Sequence, residues 1–118
     1  MAADDPFEKA LLDLDRVLDV NVERLTLIKR RIAEIQRQRS DGLSYTEIVE
    51  SARAPLLVQL ITESKQTLDG FGARVRQAEA LALHKEGMTM EAIAERFGVT
   101  RQRVSALLRE ARRDPSDT

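Results

Sequence analysis

The sequence has no cysteine and no tryptophan, and its aromatic residues are one tyrosine and three phenylalanines. Without thiols, neither disulfides nor thiolate metal sites are available, which suits a reducing compartment. Histidine occurs once, as His84, and a lone histidine near a helix end reads as a surface or capping residue with no second ligand to suggest a metal. There is no glycine-rich phosphate loop and no His–acid–nucleophile set, so neither enzyme activity nor a cofactor or metal is expected. No apolar run approaches the roughly 18 residues of a membrane span. The opening MAADDPFEK lacks the basic and apolar regions of a signal peptide, so the expectation is a soluble, cytoplasmic protein that avoids membranes. The prolines, Pro6, Pro55 and Pro115, can each begin a helix or lie outside one. What remains is 42% hydrophobic and 33% charged with a net charge of −1, a mixture of Ala, Leu, Glu and Arg that predicts an all-α protein.

The first forty residues predict one long helix. Asp4 or Asp5 can cap a start at Pro6, Glu8 suits the positive end of the helix dipole, and neither glycine nor a further proline interrupts the chain to about Arg39. Apolar residues alternate steps of four and three in a heptad pattern, with Leu11, Leu18, Leu25 and Ile32 at a and Phe7, Leu14, Asn21, Ile28 and Ile35 at d. A helix near 50 Å long cannot bury such a stripe against itself. The reading is a homodimer joined through Leu11, Leu14, Leu18, Asn21, Leu25, Ile28 and Ile32; an antiparallel hairpin within one chain is the alternative. Asn21 in the middle of the seam either pairs with its counterpart on an identical helix and sets register, or is partly exposed while Val20 or Val22 packs. Val17, Val20, Val22 and Leu27 widen the apolar face, as in a bundle containing both subunits.

Turn residues Ser40, Asp41 and Gly42 close this stretch, and Ser44 with Glu47 forms a capping box for a short helix from Tyr45 to about Ala52. GLSYTEIVE from Gly42 matches GMTMEAIAE from Gly87 at Gly, Ser/Thr, Ile and Glu, an offset of 45 residues, which suggests a degenerate copy of one supersecondary unit. Where the later copy has Arg101 and Gln102, the earlier has Leu56 and Leu57, so it reads as a structural element, with a partner-binding groove as the alternative. From Pro55 a second long helix is expected to about Glu86, its stripe comprising Leu57, Ile61, Ser64, Leu68, Phe71, Val75, Ala78 and Ala82. Gly70 and Gly72 each weaken it by about 1 kcal/mol relative to alanine and either break it or are run through. Arg74, Arg76 and Lys85 lie on its polar side.

The stretch from Met90 to Arg109 carries the functional signal. Ile93, Ala94 and Phe97 predict a short helix, Gly98 a turn requiring positive φ, and Thr100 the N-cap of a second helix to about Arg112 with Val104, Leu107 and Leu108 inward. This is a helix-turn-helix pattern. The outward positions hold Arg101, Gln102, Arg103, Ser105, Ala106 and Arg109, residue types able to read base edges or to allow close approach. Between Arg96 and Arg113 six arginines face one acid, Glu110, a basic footprint suited to DNA.

FGVTRQRV, preceded by GMTMEAIAER, resembles the promoter-reading helix-turn-helix at the C-terminal end of bacterial sigma factors, and the whole chain resembles small actinobacterial helix-turn-helix regulators whose first half carries a segment similar to GLSYTEIV. About a quarter of the chain carries the sigma-like motif, and no segment resembles the promoter-melting region, which argues against an actual sigma factor. The resemblance implies that Arg101, Gln102 and Arg103 occupy base- or phosphate-contacting positions. Together with the residue reading it leads to a DNA-binding transcriptional regulator of the nucleoid, whose contacts with double-stranded DNA involve Thr100, Arg101, Gln102, Arg103, Ser105, Arg109, Arg112, Arg113 and Lys85. The expected organisation is a dimerisation helix over 1–41, a middle segment over 42–72, the helix-turn-helix module over 73–113 and a disordered tail over 114–118. The alternatives are an architectural DNA binder with little sequence preference and a helical adaptor that docks on RNA polymerase.

Overall fold

The structure is a computed structural model and describes residues 5–113; Asp4, Pro115 and the tail expected at 114–118 lie outside that range. The described residues form five α-helices: α1 (Pro6–Ser40), α2 (Tyr45–Ser51), α3 (Leu57–Lys85), α4 (Met90–Phe97) and α5 (Arg101–Arg113). The protein is all-α, as composition predicts. Asp5 caps α1, its Oδ1 accepting from the amides of Phe7 at 2.9 Å and Glu8 at 3.3 Å. At the far end of α1 the Leu43 amide donates back to the Gln38 carbonyl at 3.1 Å, across Gly42. The capping box that opens α2 is present on both sides. Ser44 Oγ accepts from the Glu47 amide at 3.1 Å, and Glu47 Oε1 accepts from the Ser44 amide at 2.9 Å.

α3 begins two residues later than the Pro55 start expected. The Leu56 amide donates to Gln59 Oε1 at 2.7 Å, and the Pro55 carbonyl is taken by Arg31 Nε at 3.4 Å, so these groups end the linker instead of joining the helix. Of the two possibilities at Gly70 and Gly72, the continuous helix is the one formed.

The chain divides into two compact units. One comprises the described residues of Met1–Asp15 and Asp69–Thr118; the other is Arg16–Leu68. The second unit is an antiparallel pairing of α1 with the start of α3. Ser64 Oγ donates to Asn21 Oδ1 at 2.7 Å, Arg24 Nη1 donates to Asn21 Oδ1 at 3.0 Å and to Thr67 Oγ1 at 3.2 Å, and Arg24 Nε lies 3.6 Å from Glu63 Oε2. Advancing along α1 from Asn21 to Arg31 moves the partner back from Ser64 to Pro55, which defines the direction.

Asn21 departs from both readings made of it. It is 2% exposed, so Val20 and Val22, both exposed, do not replace it in the packing. Its amide oxygen is already engaged inside the chain by Ser64 and Arg24, so it does not set register by pairing with its own counterpart. The physical reason is that a buried amide must find a partner, and Ser64, the one polar residue in the expected α3 stripe, meets it at the same level. The heptad rows also part company: Phe7, Leu14, Ile28 and Ile35 of row d are half-buried, whereas Leu11, Leu25 and Ile32 of row a stay exposed. α3 shows the same division. Leu60, Ser64, Ala80 and Leu81 are buried, while Ile61 and Leu68 of the expected stripe are exposed.

The first unit holds the well-packed core. Ala80 and Leu81 of α3, Ile93 and Ala94 of α4, and Val104, Leu107, Leu108 and Ala111 of α5 form one buried cluster, with Leu83, Met88, Met90 and Phe97 packed around it.

Candidate nucleic-acid interface

Each element of the reading module is built by a local rule. Thr89 caps α4, its Oγ1 accepting from the Ala92 amide at 3.1 Å. Gly98 ends α4 at φ 68°, ψ 34°, in the left-handed region, where a Cβ would crowd the backbone. That reversal lets the Val99 amide reach the Ala94 carbonyl at 3.0 Å, which satisfies the end of α4 and redirects the chain within three residues. Thr100 then caps α5, with Oγ1 accepting from the Arg103 amide at 3.0 Å. The earlier copy reproduces the entry, Gly42 to Ser44 to a short helix with Ile48 buried, but not this turn. Its α2 ends on Ala52 at ψ 141°, extended, and five residues separate the helices.

α5 sorts its residues cleanly. Val104, Leu107, Leu108 and Ala111 are buried, and Arg101, Gln102, Arg103, Arg109, Arg112 and Arg113 are exposed; Ser105 and Ala106 are half-buried, not fully outward. Counted round the helix at about 100° per residue, Gln102 and Arg109 stand opposite the buried face. With Ser105 and Ala106 they form a stripe at i, i+3, i+4 and i+7. Arg101 and Arg103 lie on its two flanks. Thr100 is exposed at the head of the helix, and Lys85 is exposed at the end of α3.

The flanking arginines are not free. Arg101 Nε lies 2.7 Å from Glu91 Oε1 on α4, and Arg103 Nη1 lies 3.8 Å from Glu110 Oε1, whose other oxygen accepts from Gln77 Nε2 at 2.9 Å. Arg109 Nη1 donates to Ser105 Oγ at 3.3 Å, which aligns two members of the stripe. Glu91 is the residue that reading the sequence did not single out. Its position ten residues before Arg101, in the first turn of α4, looks like ordinary dipole complementation, and only the fold of the turn brings it to the arginine. Arg74 stacks over the Phe71 ring at 5.2 Å from its centroid and, like Arg76, remains exposed. His84 Nδ1 lies 3.2 Å from the Met88 carbonyl, at the turn out of α3.

The chemistry available here is electrostatic and hydrogen-bonding. No group of three or more His, Cys, Asp or Glu residues that could hold a metal occurs among the described residues, and no described helix is long and apolar enough to cross a membrane.

No curated protein and no solved structure matches the chain. Residues 73–115 match the family model of a homeodomain-like domain, a span that takes in the end of α3 together with α4 and α5. With Gly98 turning the chain and Thr100 opening an arginine-rich helix, the protein carries a helix-turn-helix module of the DNA-binding kind.

Proposed function

We propose that the protein is a homodimeric transcriptional regulator that inserts α5 into the major groove. The observation that carries this is the stripe of Gln102, Ser105, Ala106 and Arg109, which stands opposite a buried face in a helix containing one acid. Recognition helices read bases through such a stripe: Arg109 and Gln102 are suited to bidentate contact with guanine and adenine, and Ser105 and Ala106 permit close approach. Arg101 and Arg103 on the flanks, Thr100 at the helix start, Arg112 and Arg113 at its end and Lys85 on α3 then serve the phosphates. The resemblance to sigma-factor promoter readers and small actinobacterial regulators agrees with this role, and with action on the nucleoid in the cytoplasm.

Dimerisation is proposed through the face that α1 leaves open. One turn from the Asn21–Ser64 bond in each direction, Leu25 comes level with Ile61 and Leu18 with Leu68; Leu25 is 48% and Ile61 49% exposed. A second copy covering these rows, with Leu11 and Ile32, completes a four-helix bundle, to which the inward Leu14 and Ile28 contribute packing from behind. In this organisation 1–41 supplies most of the dimerising rows, 42–72 supplies the second arm of the hairpin with Ile61 and Leu68, and 73–113 reads DNA. A sequence-indifferent architectural binder is the second reading, favoured by the arginines on both flanks of the stripe.

Selection of duplexes from a random pool, followed by anisotropy titration across salt, tests the proposal. Arg109→Ala should reduce discrimination between selected and random duplexes by about 1–3 kcal/mol, and Arg112→Ala should weaken both alike while flattening the salt slope by about one unit. Equal affinity for both pools in the parent protein identifies the architectural binder. Absence of any duplex binding at about 100 mM salt overturns both.

A further inference from the structure

Within the Arg16–Leu68 unit a cavity of about 560 Å³ opens where the C-terminal part of α1, α2 and the start of α3 meet. Its wall is largely aliphatic: Ile35 of α1, Ile48 and Val49 of α2, and Leu56, Leu57 and Val58 at the head of α3. Leu56 and Leu57 stand where the later copy carries Arg101 and Gln102, so the same substitution that removes DNA-reading groups lines this space. The charged groups on the wall are unequal in state. Arg31 Nη1 is neutralised by Glu34 Oε2 at 3.2 Å and its Nε is spent on the Pro55 carbonyl. Arg53, in the linker between α2 and α3, also lines the cavity and makes no ion pair or hydrogen bond among the described residues. The lining therefore carries one uncompensated positive charge at the edge of an apolar chamber.

We propose that this cavity binds an amphipathic monocarboxylate, its aliphatic chain among Ile35, Ile48, Leu56 and Leu57 and its carboxylate on Arg53. The volume lies in the range of small-molecule sites, about 300–1,000 Å³, where a few polar groups orient a mainly apolar ligand. A guanidinium is the side chain best matched to a carboxylate, which it can hold by two parallel hydrogen bonds. The wall lacks an unpaired acid that would favour a cation. The site shares no residue with the stripe of α5 and does not depend on that function.

The test is a titration of the ¹⁵N-labelled full chain with decanoate, decanol and decylammonium, each kept below its micelle-forming concentration. Decanoate should give saturable shifts at the amides of Ile48, Val49, Leu57 and Val58. Arg53→Ala should weaken decanoate about tenfold and leave decanol unchanged. Val49→Glu, at an exposed position on the lining, should also weaken decanoate by adding a carboxylate to the wall. Shifts spread over the chain without saturation, decylammonium binding as tightly as decanoate, or indifference to Arg53→Ala each overturn the proposal. So does concentration-dependent protection of those amides in the ligand-free protein, which would make a second copy the occupant. No DNA is present in the titration, so its failure leaves the DNA-binding reading standing and the reverse is equally true.

Discussion

Ile93 and Ile48 occupy the same place in the two copies of one pattern, 45 residues apart, yet truncating them should cost different amounts. Ile93 is 0% exposed and lies in a cluster with Ala80, Leu81, Ala94, Val104, Leu107, Leu108 and Ala111. Three of those seven neighbours are alanines, whose side chains have little freedom to move into a gap. Ile→Ala in a core removes transfer free energy and adds a cavity term, about 2–5 kcal/mol in all, rising as the site fails to collapse. For Ile93 the rigid alanine surroundings place the loss at about 3–4 kcal/mol, and Ile93→Val should cost about 1 kcal/mol. Ile48 is 3% exposed but lines the 560 Å³ cavity, so part of its surface already lacks contact atoms and truncation forfeits less dispersion. About 2 kcal/mol is expected there. Urea denaturation followed by circular dichroism reads the totals, and native-state hydrogen exchange at the Val104 and Leu107 amides reads the module separately. Against a stability of about 5–15 kcal/mol typical of small domains, Ile93→Ala should also depress duplex binding near the unfolding transition. A loss under about 1 kcal/mol at Ile93, or one no larger than at Ile48, would refute the packing account.

Glu91→Gln should release Arg101; because both side chains are more than 60% exposed, stability should change by less than about 1 kcal/mol, while duplex affinity at low salt should rise a few-fold as a charge opposing the phosphates disappears. Weaker binding by the variant would mean that Glu91 holds Arg101 in its DNA-bound posture. Gly70→Ala should raise the thermal midpoint, since an added methyl meets nothing within 4 Å and alanine gains about 0.8–1 kcal/mol over glycine in a helix interior; a lower midpoint would show that α3 needs a soft point there. Glu47 is held below its usual carboxyl range, first by the Ser44 amide and then by the Ser44 hydroxyl. Because the folded value is the depressed one, its contribution is present above the ordinary glutamate value and is lost as pH falls through the lowered one. Glu47→Gln should remove that acid-limb dependence from the α2 amides in an NMR titration, and superimposable titrations of parent and variant would contradict it.

Signals that act within one or two turns were legible without coordinates. The start of α1 beside Asp5, the Ser44–Glu47 box, the reversal at Gly98 and the Thr100 cap each depend on groups two to five residues apart, whose geometry the backbone dictates once a helix exists. The apolar spacing of Val104, Leu107 and Leu108 likewise determined the face of α5 that turns inward, and so the face that turns out. What covers a long amphipathic helix is not a local property. The heptad in α1 was plain, but its d row is drawn inward while most of its a row is left open, because Asn21 meets Ser64 from 43 residues away. The grip of Glu91 on Arg101 and the chamber beside Arg53 belong to the same class: each exists because separated segments arrive at one place, and the energies that bring them there come from the packing of whole helices rather than from any residue's immediate neighbours in the chain.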